Sequence, residues 1–409
     1  MPGIDHIVIV HDSVEARGGA TGLARLSALE YRKRGHRVSY LTGETGDEEL
    51  VAAGIEVHGL GQAKLNAAGA LTALRKGFHN GDAQRLVSEW IAANDTPQTV
   101  YHLHNWSQIL SPSVFTALKP VEARTIVSCH DFFNVCPNGG LLNFQSGKAC
   151  NLKPMSAACW SSQCDRRSPL HKYWRMARHV RLNGLADFAH SDMTFVCLNS
   201  GMEQVMRDVG FAAPKLTNIP NPATRYTKAR IEAEKNRPFL YVGRINKEKG
   251  ADLAAEAANQ AGVPLIMVGE GDLAAPLKAA YPDIEFPGFC TRQQIVDFAR
   301  QSRALLVPGR WREPFGLVIA EAAASGLPVL LSEPSTLAAD IARLDMGRVF
   351  DPNAPEVLTA ILTELATDDA QIERLSRNAF AHASEICSTT DEWIDGFLEI
   401  FARMPGLAS

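Results

Sequence analysis

Short apolar runs alternate along this chain with longer stretches in which apolar positions recur about one helical turn apart. The runs at 7–10, 38–41, 99–103, 125–128 and 195–198 are rich in Val, Ile and Leu and read as buried strands. The segments 21–34 and 83–93 read as helices. Strands that alternate with helices predict parallel pairing, because a parallel connection needs a crossover long enough to hold a helix. The alternation lapses over about 211–238, where Pro214, Pro220, Pro222 and Pro238 fall with a charged run at 228–237. It resumes with strands at 239–242, 265–268, 304–307 and 329–331, and the tail 370–404 reads as two helices broken near 387–390.

The pattern predicts an α/β chain of two open parallel-sheet domains, 1–212 and 238–386, joined by a linker at 213–237 and closed by a C-terminal segment, 387–409. One stretch, about 131–169, carries little periodicity. A loop of that length in a compact domain is functional or separately braced.

Composition changes the picture little. The chain has 409 residues, of which 46% are hydrophobic and 21% charged, which suits a folded protein of two or three domains and excludes disorder. Lys+Arg 41 against Asp+Glu 45 leaves a net charge of −4, so no overall field marks a nucleic-acid partner. The first apolar run follows Asp5 without a basic segment and reads as a strand, not a signal peptide. No stretch reaches 18 apolar residues. The expected location is the cytoplasm, with peripheral contact at the inner face of the membrane as one option. In that setting the eight cysteines point to free thiols or a metal site before disulfides.

Ligands of open α/β sheets bind beyond the carboxyl ends of the strands, and the motifs follow strands. The segment ALLVPGRWREPFGLVIAEAAASGLPVLLS places Glu313 in a loop, a helix start at Phe315, Gly316 and Leu317, and Glu321 further along the helix. Helix-start amides bind anions, and the flanking carboxylates can accept hydrogen bonds from sugar or ribose hydroxyls. A capping acid and a solvated helix residue are the plainer alternatives. In FLYVGRINKEKG, Arg244 and Lys249 stand at the same edge, where fixed cations can neutralise a departing diphosphate. Gly269 and Gly271 in LIMVGEGDL allow close approach of a flat ligand or simply make a turn. Gly18 and Gly19 of RGGA allow close approach to phosphate or sugar, with Arg17 beside them. His104-Asn105 and His130-Asp131 end two strands, and either His could donate to a sugar hydroxyl or a phosphate. Cys136, Cys150, Cys159 and Cys164, separated by 13, 8 and 4 residues, fit a structural zinc or free thiols. The basic segment 166–181 could meet an anionic membrane or be a solvated helix face.

Taken together, EPFGLVIAEAAASGLPV and VGRINKEKG, with looser matches at RGGA, NIPNPA and VGEGD, resemble the retaining glycosyltransferases of family 4 (glycosyl transferases group 1). The resemblance implies a GT-B fold, two Rossmann-like domains facing each other across a cleft, with a C-terminal helix crossing back to the first. It implies a nucleotide-sugar donor (UDP-, GDP- or ADP-linked) held by the second domain, and a glycan or lipid-linked acceptor in surface polysaccharide or glycolipid synthesis. It requires no cofactor for catalysis. By the same resemblance Arg244 and Lys249 hold the diphosphate, Glu313 meets the donor sugar, the Phe315–Leu317 amides bind sugar and phosphate, and Glu321 binds ribose. His130 lies near the transferred sugar, and Gly18 and Gly19 face the diphosphate or acceptor. The loop LLSEPSTLAAD departs from the Gly-Gly and Glu that many members carry there. A hydrolase or epimerase of nucleotide sugars, and a non-catalytic glycan-binding protein, are the other readings of the same residues.

Overall fold

The computed structural model describes residues 3–15 and 19–405. Two parallel sheets form two lobes. The first lobe contains β1 (His6–His11), β2 (Arg37–Thr42), β3 (Glu56–Gly59), β4 (Thr99–Leu103) and β5 (Thr125–Ser128). A small antiparallel hairpin follows, β6 (Leu142–Asn143) with β7 (Lys148–Ala149), and then β8 (Thr194–Cys197) and β9 (Lys215–Asn218). The second lobe contains β10 (Phe239–Val242), β11 (Leu265–Val268), β12 (Glu285–Gly288), β13 (Leu305–Val307), β14 (Val329–Ser332) and β15 (Gly347–Phe350). The strand orders are β3-β2-β1-β4-β5-β8-β9 and β12-β11-β10-β13-β14-β15. In each sheet the order reverses beside the first strand, at β1/β4 and at β10/β13. That reversal opens a crevice at the carboxyl ends of those strands.

Every strand anticipated from the sequence is present, with ends shifted by at most a residue. The four sheet strands that were not anticipated, β3, β9, β12 and β15, are the four edges. Interior strands are buried on both faces and so read as apolar runs, whereas EVHG, KLTN, EFPG and GRVF do not. One of them, β9, lies in the stretch 213–237 that was read as linker.

The last helix, Thr390–Ala402, starts at a capping box of Thr389 and Glu392. Its apolar stripe of Trp393, Ile394, Phe397 and Phe401 is buried against the first lobe. Phe401 lies 6.3 Å from the Tyr31 ring and Phe397 lies 4.5 Å from the His102 ring. Arg34 pairs with Asp391 at 2.8 Å on the rim.

The insertion after β5 is braced by polar contacts. Its four cysteines, Cys136, Cys150, Cys159 and Cys164, are free and line one cavity of about 20 Å³. Among the described residues no group of three or more His, Cys, Asp or Glu side chains is arranged to hold a metal. Asn138 stands between two of the thiols, accepting from Cys136 Sγ at 3.2 Å and donating to Cys164 Sγ at 3.7 Å. Lys172 is 2% exposed and caps the short helix Ala157–Ser161. Its ammonium donates to the carbonyls of Cys159 (2.5 Å), Trp160 (3.0 Å) and Ser162, where a helix C-terminus favours a cation.

The basic segment 166–181 is therefore not one solvated face. Lys172 and Arg178 are buried in the helix Pro169–Ala186, and Arg178 donates to the carbonyls of Gly77 and Ser107, each at 2.7 Å. Among the described residues no helix is long and apolar enough to cross a membrane.

Trp393, 1% exposed, carries much of the contact between the last helix and the first lobe. Trp393→Ala is expected to lower unfolding stability by about 3–5 kcal/mol, the usual cost of deleting a buried Trp side chain. Urea denaturation measures this, and a change below about 1 kcal/mol would mean that the helix is held by its polar rim instead.

Candidate active site

The two crevices face each other, and the second lobe supplies the charged groups. The loop after β13 carries Glu313 into a turn that ends at Gly316, the N-cap of the helix Leu317–Ala324. Gly316 has φ +73°, and a Cβ there would meet Ile319 Cδ1 at 2.6 Å and Glu313 Cγ at 3.1 Å, so glycine is required. Phe315 is buried beneath the turn.

The loop after β10 runs alongside. Its Gly250, at φ +69°, packs so close to the Pro308 carbonyl that a Cβ would lie 1.9 Å from the oxygen. Asn246 Oδ1 accepts from the Lys249 amide at 3.0 Å. The Lys249 ammonium thereby reaches Glu313 Oε2 directly and lies 4.6 Å from the Trp311 ring centre. Trp311 Nε1 donates to the same carboxylate oxygen at 3.1 Å. Arg244, on the same loop, is exposed and makes no ion pair among the described residues.

Glu321 is also engaged. Arg292 pairs with it at 2.7 Å, donates to the Thr224 carbonyl at 2.8 Å and lies 5.9 Å over the Tyr226 ring. Burial raises the Glu321 carboxyl pKa, and the guanidinium opposes that rise. Gly269 and Gly271 serve the protein's own packing. A Cβ at Gly269 would sit 1.9 Å from the Gly243 carbonyl oxygen, and one at Gly271 would sit 2.2 Å from that of Ile245. Here the close approach that glycine permits is between neighbouring loops of the lobe.

The first lobe offers neutral rings. His11, His102, His104 and His130 gather at the carboxyl ends of β1, β4 and β5. His102 stacks on His104 at 4.0 Å and His104 on His130 at 5.1 Å. His104 Nδ1 and His130 Nε2 share a 2.8 Å hydrogen bond. Half-buried Asp131 follows, its Oδ1 accepting from the Phe133 amide at 2.9 Å. Gly18 and Arg17 lie outside the described residues. Gly19 starts the helix Gly19–Lys33, where a Cβ would stand 3.4 Å from Leu317 Cδ1, so the glycine segment abuts the helix mouth of the other lobe.

Two groups that the sequence reading missed join the lobes. Asn199, the N-cap of the helix Ser200–Asp208, donates through Nδ2 to the Pro314 carbonyl at 2.9 Å and to Thr336 Oγ1 at 3.0 Å. Thr336 donates from its hydroxyl to the Pro314 carbonyl at 2.6 Å and from its amide to the Glu313 carbonyl at 3.1 Å. No local signal marks either residue, because the contacts span 115 and 137 positions of sequence.

Burial lowers all four histidines, His11 to about 3, His130 to about 4, and His102 and His104 well below 6.5. The unfolded chain would protonate each near 6.5. Their contribution to stability is thus full above that value and lost as pH falls below it, by up to about 1.4 kcal/mol per pH unit for each ring. Asp12, Asp131 and Glu321, raised by burial, act in the opposite sense. The rings dominate the start of the descent, since Asp131 titrates only near 6. Tm is expected to fall from pH 7 to pH 5, and less steeply in His102→Gln. A Tm independent of pH over that range would contradict burial of neutral rings.

The chain is 29% identical over 174 residues to the D-rhamnosyltransferase WbpZ of Pseudomonas aeruginosa, which covers 41% of this chain and 46% of that one. It is 24% identical over 173 residues to the O-antigen chain mannosyltransferase C of Escherichia coli, with the same coverage, 41% and 46%. The chain spans about half the length of the curated relatives it matches. Its fold is that of Anabaena Alr3699/HepE, solved in complex with UDP, at a TM-score of 0.66 and 15% identity over 97% of this chain and 99% of that one. Residues 224–382 match the family model Glycosyl transferases group 1, so the second lobe is similar to that family, and the two lobes together have the GT-B fold.

Proposed function

We propose that the protein is a retaining glycosyltransferase, which moves a sugar from a nucleoside-diphosphate sugar to a hydroxyl of a growing surface polysaccharide or glycolipid on the cytoplasmic side. One observation supports the reading: Lys249, paired with Glu313, stands at the start of the helix Leu317–Ala324 by the switch point of the second sheet, with Arg244, which makes no ion pair among the described residues, on the same loop as Lys249. The UDP complex of the similar fold and the names of the sugar-transferring relatives support the donor class.

The chemistry follows from the charges. Breaking the bond between the anomeric carbon and the phosphate oxygen leaves negative charge on the diphosphate, and fixed cations stabilise that charge as it develops. Arg244, which makes no ion pair among the described residues, can take a phosphate. Lys249 exchanges Glu313 for the diphosphate, which releases the carboxylate to accept from sugar hydroxyls. The acceptor oxygen bonds to the anomeric carbon on the face the diphosphate leaves, and its proton passes to the departing phosphate oxygen. The products are a glycoside of unchanged anomeric configuration and a nucleoside diphosphate. No protein nucleophile is needed.

Titration calorimetry with UDP, GDP and ADP is expected to show binding of at least one, weakened about 10- to 100-fold in Arg244→Ala and in Lys249→Ala, as expected for charge-assisted hydrogen bonds. Glu313→Gln is expected to cut turnover about 100-fold while changing nucleotide affinity less. The product's anomeric proton, read by NMR, reports retention. Inversion, or release of free sugar without an acceptor, would overturn the reading.

A lipid-linked acceptor would bring the first lobe to a membrane. Leu71 and Leu74 on the helix Ala70–Phe78, and Leu170 and Tyr173 on the adjoining helix, are exposed beside Arg75 and Arg167. Cosedimentation with anionic vesicles is expected at low ionic strength, weakened by salt and by Leu170→Asp. If the protein stays in the supernatant at low salt, the acceptor is water-borne.

A further inference from the structure

We infer that Ser27 and His104 lock His130 in its Nε2–H tautomer, so that His130 offers the cleft a hydrogen-bond acceptor, Nδ1. Ser27 is fully buried, and its hydroxyl donates to the Ala24 carbonyl at 2.8 Å. A serine hydroxyl has one proton to give. The Ala24 carbonyl is the nearer partner, so with the proton given there Ser27 faces His104 Nε2, 3.4 Å away, as acceptor, which puts the His104 proton on Nε2. A neutral imidazole with Nε2 protonated has a lone pair on Nδ1. His104 Nδ1 must then accept across the 2.8 Å contact, and the donor is His130 Nε2–H.

The rest of the cluster is consistent with this order. His11 Nδ1 accepts from the Asn105 amide at 3.0 Å, which places its proton on Nε2, facing Thr21 Oγ1 at 3.1 Å. His102 places Nδ1 3.2 Å from the Tyr31 hydroxyl and Nε2 2.8 Å from Ser128 Oγ, which fits the same tautomer. Mutual stacking keeps the rings neutral, since a charge on one would be desolvated and repelled by charge on the next.

His130 Nδ1 has no protein partner among the described residues, and the residue is half-buried. Its lone pair can receive a hydroxyl proton. It would face a phosphate or carboxylate oxygen lone pair to lone pair. Of the two partners that the sequence left open for this histidine, the structure assigns the hydroxyl and reverses the direction of the bond. The tautomer stands on the hydrogen bonds alone. The consequence for substrate rests on the transferase reading: the sugar turns a hydroxyl toward His130, which favours a neutral glycosyl unit over one that carries a carboxylate at that position. His104 and Ser27 are positioning residues.

Two-bond proton–nitrogen NMR of histidine-labelled protein at neutral pH reads the tautomer directly. The expected wild-type result is Nε2–H on His130. His104→Asn can keep an acceptor near the position of Nδ1 and should preserve it, whereas His104→Leu should give mixed tautomers. Ser27→Ala removes the inner acceptor through a small buried change, and mixed tautomers are again expected. Nδ1–H or a charged ring in the wild type, or an unchanged pure Nε2–H form in both His104→Leu and Ser27→Ala, would overturn the inference. In turnover, His104→Leu should lose at least tenfold in kcat with nucleotide affinity unchanged, and His104→Asn should recover most of it. Correct tautomers without any glycosyl transfer would sink the transferase reading alone.

Discussion

The cleft depends on a buried knot of hydrogen bonds around one backbone turn. Pro314 has no amide proton to offer, so the turn from Glu313 to Gly316 is held through its carbonyls. Thr336 takes both of them, the Glu313 oxygen through its amide and the Pro314 oxygen through its hydroxyl. Asn199 reaches over from the first lobe to the same Pro314 oxygen and to the threonine hydroxyl. Both side chains are buried, and an unmade bond there would cost more than a made one contributes. Backbone packing tightens the join, because a Cβ at Gly201 would lie 2.0 Å from the Thr336 carbonyl oxygen. Thr336 belongs to the loop LLSEPSTLAAD, which departs from the resembling family's pattern. In this chain that loop fixes the turn that carries Glu313 and sets its distance from the first lobe.

Two electrostatic regimes meet across that knot. The second lobe presents charge in an engaged but exchangeable form, with Lys249 on Glu313 and Arg292 on Glu321. A nucleoside diphosphate would meet cations whose positions are already fixed by the loops after β10 and β13. The first lobe presents the opposite character, a column of uncharged imidazoles roofed by Phe397 of the last helix. A charge there would be desolvated, so on the proposed function recognition from that side would be by direction of hydrogen bonding. On the proposed function, the donor's anionic end and its sugar would thereby be sorted to different walls of one cleft.

What was legible in the sequence follows from the same physics. Interior strands showed because both of their faces are buried. The four edge strands did not, because one side of each meets solvent or a loop. Glu313 and Lys249 were legible because each follows an apolar strand within a few residues and sits beside a helix start. Thr336, Asn199, Arg292 and Trp311 were not, since their importance lies in partners brought by the fold and not in local spacing. Gly269 and Gly271 were legible as close approaches, but only the structure shows that the approaching atoms are carbonyls of their own lobe. The basic run at 166–181 misled in the reverse way. A sequence shows charges but not their destinations, and here Lys172 and Arg178 turn inward to helix and loop carbonyls.

The insertion after β5 occupies the remaining side of the cleft, and its contacts fall next to the site. Arg166 pairs with Glu248, the neighbour of Lys249, at 3.4 Å, and Asn151 meets Arg312, the neighbour of Glu313. Arg166 and Asn151 are exposed, and an ion pair with an exposed partner contributes at most about 1 kcal/mol. The knot at Thr336 and the apolar stripe of the last helix are buried and each involves several groups. The relative placement of the lobes is therefore set on the Thr336 side and by the returning helix. The insertion forms a wall whose hold on the second lobe can be broken and remade at small cost. On the proposed function the cleft would admit an acceptor and release a nucleotide, which needs one side held and one side yielding. The division of strong and weak contacts supplies that asymmetry without a separate moving part.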